Sequence, residues 1–231
     1  MTPYKTHPGY LTLLLALLAA LTCSPLMLQA EPLRVVSENM PPYNYRTTEG
    51  QLSGPSTEVV RALLASLKIS SKIEVMPWAR AYKVALTEPN VLIFSIVRTR
   101  QREPHFQWLD GIGPVDIQIF ASTNSPLLPF NDLNQLTDKT LGILRSSSQV
   151  AFVKSHKGLL AKNIIAGKSY EDLYKMQQLG RVDLIMAPGM LIKYLNHKFS
   201  TKAEQLPKSV YIVPSTQQRQ LHLAFSNSTE I

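Results

Sequence analysis

The 231 residues carry 24 Lys and Arg against 16 Asp and Glu, a formal +8, with 45% apolar residues and a single cysteine. That apolar share is ordinary for a chain that buries a core and argues against a disordered one. The basic residues are scattered, not gathered in a tract, so the surplus suits a solvated surface that attracts small anions rather than a nucleic-acid groove.

The first thirty residues stand apart. Lys5 precedes the apolar run LTLLLALLAALT (11–22), and Leu28, Gln29 and Ala30 resemble a small-residue cleavage site. This is the plan of an export signal over 1–30. About a dozen apolar residues fall short of the ~20 that a spanning helix needs. Cys23 suggests a lipoprotein, but Thr22 before it suits that processing poorly. Residues 31–231 then hold no cysteine, hence no disulfide and no thiolate metal site, and their balance without Lys5 is +7.

From there two patterns alternate. LRVVS (33–37) is a short apolar run, and Val59, Val60, Leu63, Leu64 and Leu67 recur at helical spacing behind Gly54 and Pro55. KIEVM (72–76) alternates as a strand, after which Trp78, Tyr82 and Leu86 keep a spacing of four. VLIFSIV (91–97) is nearly all apolar, as a strand covered on both faces is. VDIQIFAS (115–122) alternates, with Val115, Ile117, Ile119 and Ala121 on one side.

A polar, proline-bearing passage (122–132) leads into a second series. LGIL (141–144) reads as a strand, with a helix starting in SSSQVAF (146–152). NIIA (163–166) is the next strand; Ser169 and Asp172 form a capping box for a helix that stops at Gly180. VDLIMA (182–187), Pro188 at a first helical turn, YIV (211–213) and LHLAF (221–225) complete the series. Strands alternating with helices of about ten residues predict an α/β protein with mainly parallel sheets. The break near 120–132 predicts two lobes: 31–119, completed by 220–231, and 120–219, with hinge crossings near 119–123 and 214–220.

Three loops carry candidate chemistry. Arg98, Arg100 and Arg102 follow the buried strand in FSIVRTRQREPHFQW (94–108). Ligands of open α/β sheets bind beyond the carboxyl ends of strands, and arginine there grips a carboxylate through two parallel hydrogen bonds. The competing reading is a solvated loop. LGILRSSSQV (141–150) places Ser146, Ser147 and Ser148 at a helix start, where backbone N–H groups bind anions, although an ordinary cap needs only one serine. SENMPPYNY (37–45) offers Glu38 as an acceptor, and Tyr43, Tyr45 and Trp78 offer flat walls or plain core packing.

In this order, LRVVSENMPPYNY, GQLSGPSTEVVRALL, PWARAYKVAL, IFSIVRTRQREPHFQW, LGILRSSSQ and YEDLYKMQQLGRVDLIM resemble the bacterial extracellular solute-binding proteins of family 3, which feed polar amino-acid ABC importers, and they span nearly all of 33–225. The resemblance implies the two-lobed type II periplasmic binding fold. The family's Ser-to-Thr-to-Arg segment, which holds a ligand carboxylate, falls on Ser95, Thr99 and Arg102. Its Gly-Thr or Gly-Ser step falls on Ser146, Ser147 and Ser148, which lack the glycine, and its acidic residue near the first strand corresponds to Glu38. The aspartate that usually binds an ammonium group falls on Pro188, five residues beyond a structural Asp183. The ligand therefore lacks an amino group, or Glu38 binds it instead. The family also continues past the strand matching LHLAF, so the resemblance implies a missing C-terminal helix, for which Ser228 or Thr229 would be the cap.

The expectation is an exported, periplasmic, monomeric protein that closes on a small anionic or zwitterionic solute bearing a carboxylate, an amino acid or related acid, for uptake through ABC transporter membrane subunits. No cofactor, metal, nucleic acid or catalytic residue is expected. Arg102, helped by Arg98, and Ser95 hold the carboxylate from the first lobe, and Ser146, Ser147 and Ser148 meet it from the second. Glu38, Tyr43 and Trp78 supply polarity and stacking. The rivals are an enzyme on the same fold, resembling cyclohexadienyl dehydratase and using Glu38 or Glu103 as acid or base, and a ligand-sensing module for a receptor. His105, His156, His197 and His222 are too scattered to suggest a site.

Overall fold

The structure is a computed structural model that describes residues 32–123, 125, 129, 132–136, 138–156, 161–214 and 220–227. The export signal, residues 215–219 of the second hinge crossing and the tail at 228–231 lie outside the described residues.

The first sheet takes β1 (Arg34–Ser37), β4 (Ile73–Val75), β5 (Val91–Val97), β6 (Phe106–Pro114) and β12 (Gln220–Ser226) in the order β4-β1-β5-β12-β6. A hairpin of β2 (Tyr45–Arg46) and β3 (Leu52–Ser53) leads into α1 (Pro55–Ser66), while α2 (Trp78–Thr87) follows β4. The second sheet takes β7 (Ile117–Ala121), β8 (Leu141–Leu144), β9 (Ile164–Gly167), β10 (Leu184–Pro188) and β11 (Lys208–Ile212) in the order β11-β7-β10-β8-β9. Its helices are α3 (Ser148–Ser155), α4 (Tyr170–Gln178) and α5 (Gly189–Lys198). Among the described residues no helix is long and apolar enough to cross a membrane.

Each sheet is mixed. Strands β4, β1 and β5 run parallel, as do β10, β8 and β9, while β12, β6, β7 and β11 pair antiparallel. Strand β5 is buried through Ile96 because it has a strand on each side and a helix over each face. Val60 and Leu64 of α1 pack with Val35, Leu92, Phe94 and Leu223 on one face. Ala81, Val84 and Ala85 of α2 join Val36, Val91 and Ile93 on the other. Each buried valine, leucine, isoleucine or phenylalanine among them favours the fold by about 1.5–3 kcal/mol.

The helical stripes are narrower than the sequence spacing implies. Val59, Leu67 and Leu86 are 42%, 55% and 40% exposed. A strict spacing of four drifts about 40° per step around a helix of 3.6 residues per turn, so Leu86 leaves the face that Trp78 occupies. Strand β6 escapes sequence reading because Gly111 and Gly113 look like turn signals. In the sheet, Gly111 passes the side chain of Gln220 with no room for a Cβ.

The first hinge crossing is earlier than expected. β6 ends in the first sheet at Pro114 and β7 begins in the second at Ile117, so the chain crosses at Val115 and Asp116, not at 119–123. Ile119 and Ala121 pair with β10 and β11, which makes the boundary at 119/120 fall inside a strand of the second lobe. The polar passage at 122–132 thus joins two elements of the second lobe rather than the lobes themselves. The return crossing runs between β11 and β12.

Candidate functional site

The end of β5 is re-aimed by one residue. Ser95 has φ 58, and the pairing with β12 steps from Ile96 to Phe94 while the partner advances only from His222 to Leu223. Ser95 is therefore the extra residue of a β-bulge. Beyond it the chain does not stay extended: the amides of Arg102 and Glu103 both donate to the Thr99 carbonyl at 2.9 Å. This turn carries Arg102 inward and leaves Arg98 outside.

Arg102 is 5% exposed. Its Nη1 donates to the Val97 carbonyl at 2.9 Å, and its guanidinium lies 5.2 Å from the Trp78 ring centre and 4.7 Å from that of Tyr82. Trp78 and Tyr82, one turn apart on α2, stack at 5.7 Å. Two aromatic faces and a carbonyl thus hold the group's orientation. Burial lowers its pKa from the ordinary arginine value, opposed by Tyr82 and by Glu38.

The second lobe meets this arginine across a small cavity. Ser146, with φ 59, turns its carbonyl toward the first lobe, where it accepts from Trp78 Nε1 at 2.9 Å and Arg102 Nη2 at 3.1 Å. Ser147 caps α3, its hydroxyl accepting the Gln149 N–H at 3.2 Å, and Ser148 opens the helix. Gln149 is clamped from both ends: its Oε1 accepts the Leu144 N–H at 2.9 Å and its Nε2 donates to the Tyr170 hydroxyl at 3.0 Å. Since Tyr170 accepts from Gln149, its own O–H remains available to donate, and the residue lines the cavity. Burial, then Glu38, holds the Tyr170 pKa well above its usual value.

Glu38 closes the far side, 7% exposed. Its main-chain carbonyl accepts from Asn44 Nδ2 at 2.5 Å, and Asn44 also receives the Ser95 hydroxyl at 2.5 Å. No hydrogen bond from the described residues reaches its carboxyl. Burial raises its pKa to about 8, against the pull of Arg102. The cavity has a volume of about 30 Å³ and is lined by Glu38, Met40, Trp78, Ser95, Val97 and Arg102 from the first lobe with Leu144, Ser147, Ser148, Tyr170 and Pro188 from the second. Val115, Ile117 and Leu221, at or beside the crossings, complete the wall.

The profile of the bacterial extracellular solute-binding proteins, family 3, matches residues 33–163. The chain belongs to this family. No curated protein matches it. The fold is similar to that of the arginine-bound form of truncated ArgBP from T. maritima, with a TM-score of 0.71, 16% identity and 85% of this chain and 88% of that one covered. It is likewise similar to AbpA, an amino acid ABC transporter substrate-binding protein from Streptococcus pneumoniae bound to L-arginine, with a TM-score of 0.70, 14% identity and coverage of 85% and 81%. A histidine kinase sensor domain similar to periplasmic binding proteins gives a TM-score of 0.73 at 16% identity, with 85% and 83% covered. At such identities the likeness is one of fold.

Of the residues singled out in this family member's sequence, Glu38, Trp78, Ser95, Arg102, Ser147 and Ser148 line the cavity. Arg98 does not: it pairs with Glu103, its Nε donating to Oε2 at 2.8 Å, and its guanidinium lies 5.4 Å from the Trp108 ring centre. The same ion pair draws Glu103 to the outer face and away from any role as an acid in the cavity. Ser146 contributes its carbonyl, while its side chain is exposed. Tyr43 is half-buried and lies outside the cavity lining, and Tyr45 packs instead on Tyr194 of the second lobe at 5.7 Å. Asp183 accepts from the Thr140 amide at 2.7 Å and its hydroxyl at 2.6 Å, tying β10 to the start of β8. Tyr170 is the cavity residue that the sequence reading passed over. Its signal was the Ser169 capping box, whose amide bond of 3.1 Å from Asp172 fixes the helix that carries it.

Proposed function

We propose that this protein is exported to the periplasm, by the leader at 1–30, and there binds a small carboxylate-bearing solute, an amino acid or related acid, for ABC-type uptake. The observation that carries this is a buried guanidinium, Arg102, at the junction of the lobes, faced by the start of α3 and by the Tyr170 hydroxyl. Arg102 binds the carboxylate, and the N–H of Ser148 at the start of α3 meets the same charge from the other side, the Ser147 N–H being taken by the Leu144 carbonyl at 3.2 Å. Trp78 and Tyr82 fix the arginine, and Glu38 sets the polarity of the far wall. A guest that touches both lobes favours the closed arrangement by those added contacts, with Val115 and Asp116 in one of the hinge crossings. The named amino acid ABC transporter substrate-binding protein of similar fold supports the transport role. The sensor domain of similar fold favours signalling through a partner as the second reading.

A thermal-shift and calorimetric screen of small carboxylates tests the site. Stabilisation by several degrees that Arg102→Ala abolishes is expected. A carboxylate that binds wild type and Arg102→Ala equally removes Arg102 from the site. Energised vesicles bearing a candidate importer, with and without the protein, separate transport from signalling.

A further inference from the structure

We propose that the guest is a small monoanion without an ammonium group, a short-chain monocarboxylate, held between Arg102 and Tyr170 against an apolar wall. This rests on the solute-binding reading above and narrows it. Arg102 and Glu38 are the only two ionised-type side chains among the cavity's lining residues apart from the phenol of Tyr170. An ammonium group brings three N–H donors and a positive charge, and the one acidic side chain among these lining residues is Glu38.

Glu38 is not built as one. A carboxylate kept ionised in a protein interior collects N–H donors, whereas no hydrogen bond from the described residues reaches this carboxyl. Its titration agrees, since burial sets its pKa at about 8 and only Arg102 opposes that. At neutral pH the cavity therefore carries one positive charge, that of Arg102, and a guest of charge −1 balances it. A zwitterion would leave the site with a net positive charge and place its own cation near the guanidinium and a neutral acid. Beyond Glu38 the wall offers that cation no negative charge, only the hydroxyls of Ser95, Ser147 and Ser148 and the Trp78 ring. Val97, Val115, Ile117, Leu144 and Leu221 are apolar, and Pro188, which closes β10 at the cavity, has neither charge nor N–H. Tyr170, accepting from Gln149, has a hydrogen to give, which suits a carboxylate oxygen and not an ammonium. The volume of about 30 Å³ is on the scale of two or three waters.

Matched pairs that differ by one amino group decide the matter: propionate against L-alanine and acetate against glycine, by calorimetry on the purified protein at pH 6.5. Propionate is expected to bind at least about 30-fold more tightly than alanine, because the alternative buries an unbalanced charge. Titratable groups facing Glu38 are Arg102, a guanidinium that keeps its charge in proteins, and Tyr170, whose pKa burial raises well above its usual value. Raising the pH to 9.5 ionises Glu38 and should weaken propionate by about 30-fold, tenfold per unit above its pKa. Glu38→Gln should flatten that profile. Alanine binding as tightly as propionate, and lost in Arg102→Ala, overturns the monoanion and leaves the solute-binding reading standing. A pH profile that is flat in wild type, or still steep in Glu38→Gln, overturns the role of Glu38 and with it the charge argument. Binding of no acid from either pair, with the circular dichroism of a folded protein, overturns the small monoanion and leaves the wider solute-binding reading to the carboxylate screen above.

Discussion

The two walls of the cavity are made differently. The first lobe contributes both ionisable acid–base groups of opposite type: Arg102, whose guanidinium lies near the Trp78 and Tyr82 rings, and Glu38, a carboxyl kept protonated at neutral pH by burial. The second lobe contributes neutral donors, Tyr170 and the serines at the start of α3, each held by a hydrogen bond to Gln149 or to the helix itself. Charge recognition therefore belongs to one lobe and closure to the other. A buried charge is costly and has to be fixed by rigid neighbours before a guest arrives, while neutral donors can approach late at little cost.

The comparison can be broken most forcefully at Glu38. Its pKa of about 8 means that the folded protein keeps a proton that the unfolded chain releases near 4.5, so stability should fall as pH rises from about 5 to 8 and then level off. The whole effect is of the order of 5 kcal/mol. Thermal melts across that range should show the slope, and Glu38→Gln should remove it. A wild-type protein that grows more stable over the same range would mean that Glu38 is ionised, with charge on both sides of the balance. Next in size, Arg102→Ala should cost a carboxylate guest about 3 kcal/mol, roughly a hundredfold by calorimetry, since a desolvated charge partner is lost. Tyr170→Phe tests the neutral wall: one hydrogen bond is worth about 1 kcal/mol, so affinity should drop only about fivefold, together with a lower melting temperature because Gln149 Nε2 loses its acceptor. If the tyrosine change equals the arginine change, the division between the walls fails. Arg98→Ala, which removes an exposed ion pair, should leave affinity and melting temperature unmoved.

Much of the fold was legible because periodicity reports burial. VLIFSIV lies in the middle of a sheet with a helix over each face, and the capping box at Ser169 opens α4 where expected. What stayed hidden depends on tertiary neighbours. The glycines of β6 look like turn residues until Gln220 is placed beside them, and the run 115–122 shows its inward face without showing which sheet it faces. At the site, the spacing of Arg98 and Arg102 leaves both available. A bulge at Ser95 and the turn at Thr99 send one outward and one inward, and neither feature leaves a glycine or proline as its mark. Tyr170 was missed because a tyrosine at the first turn of a helix reads as ordinary packing.

The Ser146 carbonyl accepts from Trp78 and Arg102 together. To those donors it resembles half of a carboxylate, supplied by the chain itself. An arriving acid at Arg102 thus competes with a built-in imitation and swaps one oxygen for another. Its advantage is only the margin by which an anionic oxygen outbids an amide one, up to about twofold per bond. Such a swap holds down the grip on any single guest and eases its release, so the bond that captures is also the bond that lets go.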